Sequence, residues 1–240
     1  MAKVRLFVEA PVLAQGILVE LDKKQSHYVT HVMRLGPNDV LSIFNGRDGL
    51  WKAHLQGGSK KACILEVTDQ LSPQKTLPEI HLCFAPLKQN PLHFLVEKST
   101  ELGVTHLHPV LTERTAVRVF KEEKQRLTVI EACEQCERLH IPELAPLQSL
   151  EQLLSTLKPD KDVLYVCDER RERAGSILTQ YEKSLTSYIL IGPEGGFSPQ
   201  EFAMLLRHRS VRLISLSSHV LRAETAAIAV LSQLGLALEG

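Results

Sequence analysis

Over the first 72 residues, apolar and polar positions alternate in short runs. They are Val4-Arg5-Leu6-Phe7-Val8, Ile17-Leu18-Val19-Glu20-Leu21, Val40-Leu41-Ser42-Ile43-Phe44 and Lys61-Ala62-Cys63-Ile64-Leu65-Glu66-Val67. A period of two marks strands with one buried face. Gly36-Pro37-Asn38-Asp39, Asn45-Gly46-Arg47-Asp48-Gly49 and Gly57-Gly58 separate the runs, a punctuation that predicts a small β-barrel. One helix is expected to interrupt it, around Gln25 to Arg34.

Leu71 to Pro78 holds two prolines and little apolar content and reads as a linker. Beyond it, strand and helix patterns alternate. Strands are expected at Ile80–Ala85, His106–Leu111, Val163–Cys167, Tyr188–Ile191 and Val211–Leu216. Helices are expected at Pro91–Leu102, Glu122–Arg138, Leu150–Leu157, Arg173–Glu182, Pro199–Arg207 and Glu224–Leu238. Such alternation predicts an α/β domain with a mainly parallel sheet. The chain thus divides into residues 1–72 and 73–240. Two helix starts are marked. Asn90 is expected to cap a helix with Pro91 at its first position and Gly103 at its end. Ser198-Pro199-Gln200-Glu201 is a capping box, with Phe197 and Phe202 as its hydrophobic staple.

Composition narrows the class. With 240 residues, 44% hydrophobic and 23% charged, the chain is an ordinary globular sequence, not a disordered, collagenous or disulfide-stapled one. Lys+Arg and Asp+Glu both number 28, so no overall basic field announces nucleic acid. Residues 1–72 hold nine Lys and Arg against seven Asp and Glu, and the rest holds 19 against 21. A mild basic bias of this kind fits either a solvated barrel surface or a local RNA patch. Met1 to Arg5 begins no apolar leader, and the apolar run Ala226–Leu231 is too short for a bilayer. A cytosolic protein without membrane attachment is expected, with its five cysteines reduced.

Two segments are candidates for chemistry. In Ile189-Leu190-Ile191-Gly192-Pro193-Glu194-Gly195-Gly196-Phe197-Ser198, an apolar strand runs into a glycine-rich turn and then a capped helix. Ligands of open α/β sheets bind beyond the carboxyl ends of strands, and glycines let backbone approach them. The segment also fits a plain strand–helix turn. Its spacing is neither G-x-G-x-x-G nor a Walker loop. The second segment is Leu216-Ser217-Ser218-His219-Val220-Leu221-Arg222-Ala223-Glu224-Thr225-Ala226, ahead of a helix apolar nearly all round. Arg222 and Glu224 there are either a structural pair at a helix N-terminus or part of a site.

Read together, Gly192–Ser198 and Leu221–Ala226 resemble the paired signature of the bacterial small-subunit rRNA methyltransferase E family, of the SPOUT trefoil-knotted class. Glu97-Lys98-Ser99-Thr100-Glu101-Leu102-Gly103-Val104 is similar to that family's QKATELGV element. Glu131–Arg138 with Ile141-Pro142 is similar to its EAAEQSxR…VP element, and His27-Tyr28 with Val32–Leu35 to its barrel signature. The chain departs at Ser217 and His219, where the family commonly has Gly and Arg, and at Leu127, where it often has Trp.

The resemblance implies a PUA-like barrel that holds RNA, a knotted α/β domain, and a homodimer. It implies methyl transfer from S-adenosylmethionine to N3 of a uridine in 16S rRNA. By motif, Leu190, Ile191, Gly192, Pro193, Glu194, Gly195, Gly196, Leu216, Ser217, Leu221, Arg222, Ala223, Glu224 and Thr225 are expected to line the donor cleft. N3 is a poor nucleophile until its proton leaves, so a nearby carboxylate is expected to accept it and a guanidinium to stabilise the developing charge on the uracil carbonyls. Glu194, Arg222 and Glu224 are the candidates. Arg5, Arg34, Lys88, Arg114 and Arg138 fall in or beside the family-like segments and are candidate phosphate contacts. With so little net charge, an assembled small subunit is expected to be preferred over naked rRNA. A SPOUT enzyme for another RNA position, or a non-catalytic assembly factor, are the alternatives.

No metal is implied. Cys133-Glu134-Gln135-Cys136 lies within an expected helix and has no second cysteine pair. His27 and His31, one turn apart, and His106 and His108, on one strand face, read as packing.

Overall fold

The computed structural model describes residues 4–59, 62–168 and 175–239, and the chain divides into two compact units. The first comprises residues 1–76 and 133–141 and the second 77–132 and 142–240.

The first unit is built on β1 (Arg5–Phe7), β2 (Leu18–Glu20), β3 (Val40–Phe44), β4 (Leu50–Ser59) and β5 (Ala62–Ser72). They form one mixed sheet in the order β1-β3-β4-β5-β2, with β1 parallel to β3 and the other pairs antiparallel. Period-two burial is clear in β5, where Cys63, Leu65 and Val67 are buried and Ile64 is exposed. These side chains join Leu6, Val8, Leu41, Ile43, Ala53 and Leu55 in one core. The expected helix is α1 (Lys23–His27), which starts at an Asp22–Gln25 capping box and continues as a π-helical turn, Tyr28–Val32. Lys61, expected to open β5, lies outside the described residues. Between β3 and β4, Gly49 has φ +86°, and a Cβ there would land on the Ser72 carbonyl oxygen.

The second unit alternates strands and helices. Its elements are β6 (Ile80–Phe84), α2 (Gln89–Glu101), β7 (His106–Leu111), α3 (Glu122–Gln135), β8 (Glu143–Leu144), β9 (Gln148–Ser149), α4 (Leu150–Thr156) and β10 (Asp162–Cys167). Then follow α5 (Ile177–Gln180), β11 (Thr186–Ile191), α6 (Pro199–Arg207), β12 (Val211–Ile214) and α7 (Ala223–Glu239). Every strand pair is parallel, in the order β12-β10-β11-β6-β7-β8, with β9 also pairing with β7. All of β6 is buried, as are Val163–Val166 of β10 and Ile189–Ile191 of β11, as a parallel sheet covered on both faces requires.

Several boundaries differ from the sequence reading, among them the end of β12 at Ile214 rather than Leu216. Lys88, not Asn90, is the N-cap of α2, and Asn90 and Pro91 lie inside its first turn. Proline is tolerated there because first-turn N–H groups have no intrahelical partner. Gly103, with φ +95°, ends the helix as expected. Helix α3 stops at Gln135 rather than Arg138. Glu137 adopts φ +63° and the Arg138 N–H donates to the Cys133 carbonyl at 3.0 Å, a left-handed termination normally made by glycine. Of the described residues of the expected helix Arg173–Glu182, Ile177–Gln180 are helical; Arg173 and Ala174 lie outside the described residues.

Candidate functional site

The carboxyl ends of β10, β11 and β12 converge on one cavity of about 290 Å³. Its walls are Cys167 and Asp168 at the end of β10, Ile191–Glu194 and Gly196 at the end of β11, Ile214–Ser217 at the end of β12, and His219–Ala223 with Ala226 at the start of α7. This is the place where an open parallel sheet leaves backbone uncovered for a ligand.

The loop after β11 is held by local chemistry. The Gly196 N–H donates to the Pro193 carbonyl at 2.9 Å, which closes a turn with Glu194 and Gly195 at its exposed tip. The three glycines answer different needs. Gly196 has φ +65°. A Cβ on Gly192 would come within 2.9 Å of Cε2 of Phe197, whose ring is buried in the hydrophobic cluster around α4 and α6. Gly195 lies against Arg114, whose Nη1 donates to its carbonyl at 2.9 Å. The helix that follows starts as expected. Ser198 Oγ accepts the Glu201 N–H at 3.2 Å, Glu201 Oε2 accepts the Ser198 N–H at 2.9 Å, and Phe197 and Phe202 join one cluster.

In the loop after β12, the Ser217 hydroxyl accepts the His219 N–H at 3.0 Å, a side-chain turn that serine makes and glycine cannot. Ser217 is not among the residues with positive φ, so its side chain fits the local backbone. The Ser218 hydroxyl and His219 Nδ1 are 3.2 Å apart. Helix α7 begins at Ala223 with Glu224 in its first turn.

The cavity brings together Ile191, Gly192, Pro193, Glu194, Gly196, Leu216, Ser217, Leu221, Arg222 and Ala223. Leu190 is fully buried behind the wall, and Gly195, Glu224 and Thr225 lie outside the lining. Glu194 and Arg222 are both exposed on the same cavity. Sequence reasoning passed over Cys167 and Asp168. The available signal was position, since an acid directly follows an apolar strand at the same sheet edge. Asp168 is largely buried, and burial pushes the Cys167 thiol well above its usual range.

The basic candidates have different surroundings. The Arg5 guanidinium binds the Glu137 carbonyl and carboxylate. Arg138 is half-buried, and burial draws its guanidinium below the usual range. Arg114 holds Gly195, whereas Arg34 and Lys88 are exposed. Cys133 is buried and its thiol is pushed up to about 12, chiefly by burial, while Cys136 is exposed. His27 and His31 stack with ring centroids 4.6 Å apart. Among the described residues no helix is long and apolar enough to cross a membrane, and no cluster of three or more His, Cys, Asp or Glu is arranged for a metal.

A parallel α/β unit with a cavity at its carboxyl edge, joined to a small mixed β-unit, is the architecture of an RNA methyltransferase. Residues 73–235 match the family described as RNA methyltransferase domain, and residues 21–68 match the RNA methyltransferase PUA domain. The ribosomal RNA small subunit methyltransferase E of Rickettsia conorii is 34% identical over 93% of this chain and 92% of its own length. A methyltransferase of Legionella pneumophila, solved with bound S-adenosylmethionine, superposes with a TM-score of 0.87 at 30% identity, covering 99% of this chain and 98% of that one. The small subunit methyltransferase E of Neisseria gonorrhoeae, also bound to S-adenosylmethionine, gives 0.86 at 26% identity, covering 97% of each chain. The chain belongs to the ribosomal RNA small subunit methyltransferase E family, and its fold is the SPOUT α/β class with a PUA-like barrel.

Proposed function

We propose that this chain methylates N3 of a uridine in 16S rRNA, using S-adenosylmethionine, and that it acts on the assembled small subunit. The observation that carries the reading is the cavity at the carboxyl edge, lined by Gly192–Glu194, Gly196 and Leu221–Ala223, in a chain of this family. Its lining suits a donor with both apolar and charged parts, because backbone of the Gly192 and Ser217 loops alternates with Ile191, Leu216 and Leu221. These residues, with Leu190, Gly195, Glu224 and Thr225 behind or beside them, hold the donor. The donor supplies a methyl group already activated on a sulfonium, so the protein's task is mainly to orient the acceptor and exclude water. Glu194, exposed at the loop tip, takes the N3 proton. Arg222, on the same cavity, stabilises negative charge on the uracil carbonyls, and Glu224 orients it from the first turn of α7.

Residues 1–72 hold RNA and residues 73–240 carry out the transfer. Arg34 in the first unit and Lys88 in the second contact phosphates, and Arg5, Arg114 and Arg138 are further candidate phosphate contacts. The active species is a cytoplasmic homodimer, consistent with the exposed apolar side chains of Val220 and Leu236 near the ends of the last segment.

Unmodified small subunits and naked rRNA are to be incubated with labelled S-adenosylmethionine and the product nucleoside identified by mass spectrometry. N3-methyluridine, formed faster on subunits, is expected. Methyl on a ribose or another base would transfer the reading to a different RNA position. Absence of donor binding would leave an RNA-binding assembly factor.

A further inference from the structure

Glu201 is nine-tenths buried, and the chemistry above does not use it. One oxygen completes the capping box by accepting the Ser198 N–H at 2.9 Å. The other accepts the backbone N–H of Glu113 at 2.7 Å, in the loop after β7. That loop is itself firm. The Thr112 N–H donates to Thr115 Oγ1 at 2.9 Å, the two hydroxyls are 2.8 Å apart, and the Thr115 N–H returns to the Thr112 carbonyl at 3.2 Å. The next residue, Arg114, donates from Nη1 to the Gly195 carbonyl at 2.9 Å. Two successive residues of one loop therefore grip the glycine-rich segment at its tip and at its exit into α6.

We infer that Glu201 and Arg114 are positioning residues for the methyl donor, acting by fixing the Gly192–Ser198 loop from behind. The inference rests on that loop being the donor's loop. A carboxylate is needed at 201 because two N–H donors converge on one side chain. Glutamine offers a single acceptor oxygen and would turn its NH2 toward the second donor, leaving one bond unmade. Hydrogen bonds to a buried charged group are among the strong ones, so breaking one releases the loop rather than merely loosening it. Arg114 needs only one N–H for Gly195, so a lysine can replace that bond in part.

The test uses the full chain and two readouts. Donor affinity is measured by calorimetry well below the melting temperature, and amide hydrogen exchange over residues 192–198 is measured without ligand. Glu201→Gln is expected to weaken S-adenosylmethionine binding about tenfold, the loss of roughly one charge-assisted bond. It is also expected to speed exchange of the Glu194–Phe197 amides about tenfold. Arg114→Ala, on an exposed side chain, gives the same signature if Glu201→Gln does not fold, and Arg114→Lys restores donor affinity to within about twofold. Val129→Ala, a buried change in α3, lowers the melting temperature while leaving donor affinity and loop exchange as in the wild type. Wild-type exchange and affinity in both Glu201→Gln and Arg114→Ala would overturn the inference. A wild-type protein that binds no donor would defeat the functional reading instead, and the exchange data would still decide whether the two residues hold the loop.

Discussion

At the scale of single residues, the glycine-rich loop shows how one missing methyl group holds a site open. Gly192 is a glycine because Phe197 occupies the space that its side chain would fill. Gly192→Ala must push the ring from its cluster or shift the strand end, a strain of about 1–3 kcal/mol. The expected outcome is a protein that still folds, with a lower melting temperature and donor binding reduced about tenfold or more by calorimetry. A second residue-scale prediction concerns His81 on β6. Its ring stacks on His106 at 4.1 Å and on Tyr188 at 4.1 Å, its Nδ1 is 2.9 Å from His108 Nε2, and Glu79 lies 3.8 Å from its Nε2. Burial, reinforced by the neighbouring His106 and His108, draws His81 down to about 3; burial and His106 draw His108 to about 4. Unfolded histidine titrates near pH 6.5. The unfolded chain therefore binds protons first, and stability that is complete above pH 6.5 is lost as the pH falls toward 4 and then 3. Melting temperatures measured from pH 8 to pH 4 should fall below about 6.5, and a His81→Phe/His108→Phe variant should show a flatter profile.

At the scale of elements, the start of α6 decides where the loop ends. Ser198→Ala removes the cap on the Glu201 N–H and should cost about 1 kcal/mol, read as a lower midpoint in urea with an unchanged slope. This helix was legible in the sequence to the residue, because cap, proline and staple all give the same answer. Strand β4 was not legible. Its inward side chains, Ala53 and Leu55, are few and one is small, while Gly57-Gly58 resembles a turn although it continues the strand. The pairing of β4 with β5 also shifts register at three places, which breaks strict alternation. The end of α3 was misplaced because Glu137 takes a left-handed conformation that composition does not advertise. The wall from β11 and the Leu221–Ala223 turn stood out by their glycines and by family resemblance. Cys167, Asp168 and Ser215 did not, since they join the cavity only because parallel pairing sets β10 between β11 and β12. Nothing local to those residues records that neighbourhood.

At the scale of the whole molecule, the charge balance limits how RNA is held. The chain carries no formal net charge. Of its five basic candidates, Arg5 is engaged by Glu137, Arg114 by Gly195, and Arg138 is half-buried. Of the five, Arg34 and Lys88 are exposed, and on the proposed reading they are the cations that release counterions. Each phosphate contact contributes about 0.7 to the log–log salt slope on single-stranded RNA and about 0.9 on a duplex. Binding to naked rRNA should therefore be weak, with a slope of about 1.4–1.8 from these two contacts, and Arg34→Ala/Lys88→Ala should remove that contribution. Filter binding or anisotropy across roughly 50–200 mM salt measures this, and an unchanged slope in the double variant would remove both residues from the interface. A slope that shallow leaves most of the affinity for a biological target to come from contacts that salt does not weaken, such as shape and ribosomal protein surface. The same variant should then lose less on assembled subunits than on naked RNA, so the two titrations together test both the residues and the preferred substrate.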